Sequence, residues 1–111
     1  MNVKQGDVVL LSVPFSDQSA RKTRPAIVIS NNHINTTSDD VMLVQMTSVL
    51  KEVSYSVFIT DENLKEGRLA APSRIRADKI FTASKTIIQT KIGTVKPKIL
   101  AAIKQEITKA F

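Results

Sequence analysis

The sequence predicts a small, mainly β domain with a strongly bent sheet or barrel and one helix at its C-terminal end. Three observations predict it. Short β-branched runs recur at regular spacing through most of the chain, the hydrophobic period changes to that of a helix only after Pro97, and 111 residues suffice for one core but not two. Residues 1–111 therefore read as a single domain, with no linker, internal repeat or low-complexity tract.

Each element has its own signal. Gly6 and Asp7 form a turn before the apolar run 8–13, which Pro14 closes as a first strand. Residues 16–23 are small, polar and basic, the profile of a loop. Residues 26–30 form a second strand, with Pro25 at its permitted opening position. Residues 31–40 hold Asn-Asn, Asn-Thr-Thr and Ser-Asp-Asp, whose side chains bond local backbone, so a second long loop is expected. Residues 41–47 and 55–60 read as strands, and 69–71, 80–82 and 86–89 as shorter ones. Finally, Ile99, Ile103 and Ile107 recur every fourth residue, with Leu100 and Ala110 on adjoining faces, while Lys98, Lys104, Gln105 and Lys109 lie elsewhere on the wheel. Pro97 suits the first position of that helix, whereas Lys96 is a poor cap.

Composition narrows the chemistry. Sixteen Lys plus Arg against ten Asp plus Glu give a net charge of +6, and 42% hydrophobic with 23% charged residues is ordinary for a soluble globular protein. No apolar run approaches the ~20 residues of a membrane helix, and the short run 8–15 does not resemble a secretory signal, so no membrane association and a cytoplasmic location are expected. The absence of cysteine excludes disulfides, thiolate nucleophiles and Cys-based zinc sites. With one histidine, the chain cannot build a His-pair zinc site or an acid–base pair of imidazoles. Three glycines and no GxxxxGK[ST] or GxGxxG exclude those phosphate cradles. Asp39-Asp40 and Asp61-Glu62 lack the spacing of a metal loop, so neither metal nor cofactor is expected. What remains is chemistry on Arg, Lys, Asp, Glu, Ser, Thr or Tyr.

Three places concentrate such side chains. In Arg21-Lys22-Thr23-Arg24-Pro25 the proline pushes Arg24 into extended geometry, so its guanidinium holds a direction and suits bidentate grip on a phosphate. The same stretch also reads as a solvated basic turn. Thr47-Ser48 puts two hydroxyls where a strand ends, fit either to donate to a phosphoryl oxygen or to satisfy turn backbone. An extended Arg74-Ile75-Arg76-Ala77-Asp78-Lys79 would project Arg74, Arg76 and Asp78 from one face, as a site or as a surface ion-pair ladder. His33, in the Asn-rich loop, reads as an exposed loop residue.

The order of these pieces is what carries a resemblance: Gly6-Asp7-Val8, then Arg24-Pro25-Ala26-Ile27-Val28-Ile29-Ser30, Thr47-Ser48, Ala77-Asp78-Lys79-Ile80, and an Ile92-Gly93 turn before the last helix. Across nearly the whole chain this resembles the MazF/PemK (Kid-like) toxins of type II toxin–antitoxin modules. The resemblance implies an SH3-like small barrel with a terminal helix, a homodimer, and a metal-independent endoribonuclease, or mRNA interferase, that cuts single-stranded RNA at short sequences. It also implies a cognate MazE-like antitoxin whose acidic tail lies over the RNA site. Carried over position by position, Arg24 matches the catalytic arginine of the family's RP block, Thr47 its strand-end hydroxyl and Asp78 the later acid. Arg76 matches an arginine two positions before that acid in some members. Arg21, Lys22, Ser48, Arg74 and Lys79 are the expected further contacts to RNA. Residues 16–20 depart from the histidine or Gly-rich stretch that some members carry there.

The residue types suit the implied reaction, in which the ribose 2′-OH attacks its neighbouring phosphorus and leaves a 2′,3′-cyclic phosphate and a 5′-OH. Such a step needs a proton acceptor, here Asp78, and donors to the charge of the phosphorane, here Arg24, Arg76 and Thr47. With 5% aromatics and no Trp, contacts to the RNA backbone should outweigh base stacking. Two other functions fit a basic domain of this class: a non-catalytic, CcdB-like inhibitor of a protein target, and a basic nucleic-acid-binding module.

Overall fold

A computed structural model of the chain describes residues 2–14 and 21–111, so the 16–20 loop lies outside the described residues. The elements in order are β1 (Asp7–Pro14), β2 (Arg21–Val28), α1 (Asn32–Thr37), β3 (Asp40–Thr47), β4 (Ser56–Ile59), β5 (Leu64–Gly67), β6 (Ser73–Ser84), β7 (Ile88–Val95) and α2 (Pro97–Lys109). Single 3-10 turns precede β5 and β7. The strands form one antiparallel sheet in the order β4-β6-β3-β2-β1-β7-β5, curled into a half-barrel with α2 packed against β6 and β4. No helix among the described residues is long and apolar enough to cross a membrane.

Four local expectations are corrected. Arg21, Lys22 and Thr23 are strand, not loop, because they pair with Pro14, Val13 and Ser12 of β1; a partner strand overrides their weak β-propensity. The Asn-rich loop contains α1: Asn31 caps it by accepting the Ile34 N–H at 2.9 Å, and Asn35 is buried with its amide on the Ser30 carbonyl. These are side-chain-to-backbone bonds of the kind that suggested a loop, spent instead on a helix start. Leu64–Gly67 is the strand where 69–71 was expected, and residues 74–82 belong to the single long strand β6. Gly93 is not in a turn but inside β7, opposite Gly67, whose φ of 88° and position leave no room for a Cβ beside the Ile92 carbonyl.

The curl divides the apolar residues between two clusters. One holds Val8, Ile27, Val44, Ile59 and Ile75 on the face that α2 covers with Ile99 and Ile103, as the isoleucine spacing predicts. Lys96 makes no side-chain cap, also as expected. The other holds Val9, Leu11, Ala26, Val28, Val41, Leu43 and Ile88 on the opposite face of the central strands. In β3 the alternation is regular: Val44 and Met46 serve the first cluster, Val41 and Leu43 the second.

One buried carboxylate joins the two ends of the chain. Asp7 is 1% exposed and accepts the Lys4 N–H at 2.8 Å and the Thr94 hydroxyl at 2.9 Å, with Lys91 Nζ at 3.5 Å. Removing it leaves the part-buried Lys4 N–H without its acceptor, while Thr94 and Lys91 keep Glu66 at 3.2 and 3.0 Å. Asp7→Ala is therefore expected to lower stability by about 1–2 kcal/mol in chemical denaturation, while a change within ~0.5 kcal/mol would show that the contact is incidental.

Candidate functional site

β2 and β3 are paired only where Ala26, Ile27 and Val28 meet Gln45, Val44 and Leu43. The pairing stops at Ala26, next to Pro25, which has no N–H with which to extend a ladder. Beyond that point β2 stays with β1 and β3 with β6, and an open cleft of about 660 Å³ lies between them. Lys22, Thr23, Arg24, Gln45, Thr47, Ser48 and Arg76 line it, with Leu69, Ala70 and Ala71 along one wall. Among the described residues its lining holds three cations and no carboxylate, which suits an anion.

Arg24 is exposed in extended strand geometry, and its guanidinium has no partner among the described residues. Thr47 Oγ1 accepts the Val49 N–H at 3.1 Å, which uses a lone pair and leaves its own proton to donate. Ser48 is exposed beside it.

Arg76 reaches the cleft from β6, where a break in register positions it. Gln45 pairs with Arg76 but the next β3 residue, Val44, pairs with Ile80, so Ala77, Asp78 and Lys79 bulge out of the ladder. The Ala77 N–H goes to the Tyr55 carbonyl at 2.9 Å, Tyr55 standing at a left-handed φ of 58°. Within the bulge Asp78 takes the Arg76 fork in two parallel bonds, Nε to Oδ1 at 3.0 Å and Nη2 to Oδ2 at 2.9 Å. The hydrogen bonds from Arg76 hold the Asp78 carboxyl below the usual carboxylate range and raise Arg76 in turn. Asp78 itself lines a separate depression with Ala77, Ile80, Ala110 and Phe111, so it adjoins the cleft through Arg76 rather than lining it.

The other expected contacts divide. Lys22 lines the cleft. Arg21 is directed elsewhere, donating to the Ser12 hydroxyl at 2.9 Å and carbonyl at 2.7 Å. Arg74 lies over the Phe58 ring, 5.6 Å from its centroid, and donates to Ser56 Oγ at 3.2 Å, its Nε buried without a partner. Lys79 is exposed on the bulge and does not line the cleft. His33 is exposed on α1, and Asp61 serves the backbone, accepting the Leu69 N–H at 2.7 Å. Among the described residues no three His, Asp or Glu side chains are grouped to hold a metal. Sequence reasoning misses Gln45, and it includes Thr23 in the basic stretch without giving it a role. A signal for Gln45 existed, since it continues the Val41 and Leu43 face with a polar side chain.

A family model describing the PemK-like, MazF-like toxin of type II toxin–antitoxin systems matches residues 4–111. The chain belongs to this toxin family. Its fold is that of MazF structures: the MazE–MazF complex (Form-II) from Deinococcus radiodurans superposes with a TM-score of 0.82 at 15% identity, covering 98% of this chain and 95% of that one. An endoribonuclease from a mycobacterial species gives 0.79 at 20% identity over 99% and 91%. A mycobacterial endoribonuclease in complex with its cognate antitoxin gives 0.80 at 20% over 97% and 93%. No curated protein matches the sequence. Within this MazF-like toxin the RP block begins at the strand divergence, and Arg24, Thr47 and Arg76 come from three different strands to one cleft.

The ion pair gives a titration with a definite sign. A carboxyl held low in the folded protein favours folding above its unfolded pKa of ~3.9, and that contribution disappears as pH falls through the folded value. Carboxyl-detected NMR of Asp78 should therefore give a midpoint below ~3.9, and Arg76→Ala should raise it. An unchanged midpoint in that variant would mean the pair does not form in solution.

Proposed function

We propose that this toxin is an endoribonuclease, an mRNA interferase that cleaves single-stranded RNA at this cleft without a metal ion. The supporting observation is the convergence of Arg24, Thr47 and Arg76 on one open cationic hollow, with Asp78 on the far side of the Arg76 fork. A phosphate entering the cleft meets the unpartnered Arg24 and the free proton of Thr47 first. It then competes with Asp78 for Arg76. As the phosphate takes that fork, Asp78 loses the interaction that depresses its basicity, and its exposed side chain, no longer tethered to Arg76, turns toward the cleft to accept the 2′-OH proton. The 2′ oxygen attacks phosphorus, Arg24 and Arg76 balance the charge on the non-bridging oxygens, and the 5′ oxygen leaves and takes a proton from water. The products are a 2′,3′-cyclic phosphate and a 5′-hydroxyl.

The same cations define the inhibitor. A cognate antitoxin is the partner, as similar structures include toxin–antitoxin complexes. By charge complementarity, and as the family resemblance implies, an acidic segment of it would occupy the cleft in place of the phosphates. The working unit is a homodimer, as the family resemblance implies, acting in the cytoplasm where its RNA is found.

Purified protein incubated with mixed-sequence single-stranded RNA in excess chelator should yield fragments with 5′-hydroxyl ends. Binding without cleavage would favour a nucleic-acid-binding module, and neither would favour a CcdB-like inhibitor. Arg24→Ala should lower kcat/KM by about 10²–10³-fold with an unaltered unfolding curve. Wild-type rates in that variant would remove Arg24 from the chemistry. RNA affinity should also fall steeply as salt rises from 50 to 200 mM, by about tenfold or more if several phosphates are contacted.

A further inference from the structure

The cleft contains a side-chain amide, that of Gln45, which the proposed chemistry does not use. Gln45 is the last β3 residue paired with β2 before the strands part, so it lies at the base of the cleft. Its register partners are Ala26 on one side and Arg76 on the other. Ala26 has only a methyl group to offer, and the Nε and Nη2 of Arg76 are turned to Asp78. The amide of Gln45 is accordingly exposed, with no hydrogen-bond partner among the described residues.

That placement is unusual for its strand face. The two preceding residues of the same face, Val41 and Leu43, are fully buried in the second apolar cluster. A face that packs a core up to residue 43 presents an unused donor and acceptor at residue 45, between the phosphate-gripping Arg24 and Arg76. A charged side chain there would duplicate or cancel the arginines. A neutral amide does neither, and adds an adjacent N–H and C=O pair, which grips a nucleobase edge bidentately.

We propose that Gln45 is a specificity-determining residue that reads a base next to the cleaved phosphate. The base it fits is one presenting a donor beside an acceptor, and adenine, through N6 and N7, is the match most often made by a glutamine amide. The proposal rests on the ribonuclease reading: the arginines hold the phosphate and Gln45 selects which phosphate is held.

The test is a cleavage profile over a randomised single-stranded RNA pool, taken with wild type, Gln45→Leu and Gln45→Glu, each first checked for a native unfolding curve. Wild type should prefer adenine at one position flanking the cut. Gln45→Leu should reduce that preference by about 5- to 100-fold while other positions keep theirs. Gln45→Glu, which lacks the amide donor, should alter the preferred base at the same position. Profiles that superimpose on wild type overturn the proposal and leave the nuclease reading intact, as does a wild-type profile with no adenine preference beside the cut. A uniform loss of rate at every sequence in a folded variant also overturns it, since that assigns Gln45 to the chemistry. Absence of cleavage by wild type overturns the nuclease reading, and this proposal with it.

Discussion

Two strands that share hydrogen bonds at one end and separate at the other create the space on which every proposed role depends. β2 must leave β3 just where Pro25 interrupts the supply of N–H donors, yet it remains held by β1 along its whole length. The separated portion therefore stays extended instead of collapsing into a loop. Side chains that would be cross-strand neighbours in a continued ladder face each other across open space. Arg24 and Thr47 gain their reach from this divergence.

The second determinant is the bulge in β6. Three residues that β3 does not pair would weaken the sheet if their polar groups were left without partners, and Tyr55 and the Arg76–Asp78 fork supply partners for two of them. A doubly bonded arginine–carboxylate pair of this exposure contributes little to stability. The pair half-neutralises one cleft cation and holds one carboxylate weakly basic. In the proposed reaction that balance changes when an anion competes for the guanidinium.

Much of this was readable in advance. The isoleucines of α2 and the β-branched runs of β1 and β3 carry their periods openly, because packing against one core leaves one pattern. Arg24 was legible through Pro25, and Arg76 with Asp78 through their spacing of two in an extended segment. The remainder depends on partners distant in sequence. Arg21, Lys22 and Thr23 become strand only because β1 holds them. The asparagines around residue 32 choose a helix cap over a turn for reasons set by Ser30 and the sheet below. That Arg21 serves Ser12 and Arg74 stacks on Phe58, rather than both lining the cleft, follows from cross-strand register, which no local pattern encodes.

The bond between Asp7 and Thr94 spans 87 positions, and β1, which carries Asp7, lies between β2 and β7 in the sheet. Contacts of such long range close late. While the chain is being synthesised, one edge of β1 stays open until β7 has left the ribosome, and the core beneath α2 stays wet for longer still. A nascent toxin therefore passes most of its synthesis as an unfinished sheet, and completes its core only once the last two elements are free to dock.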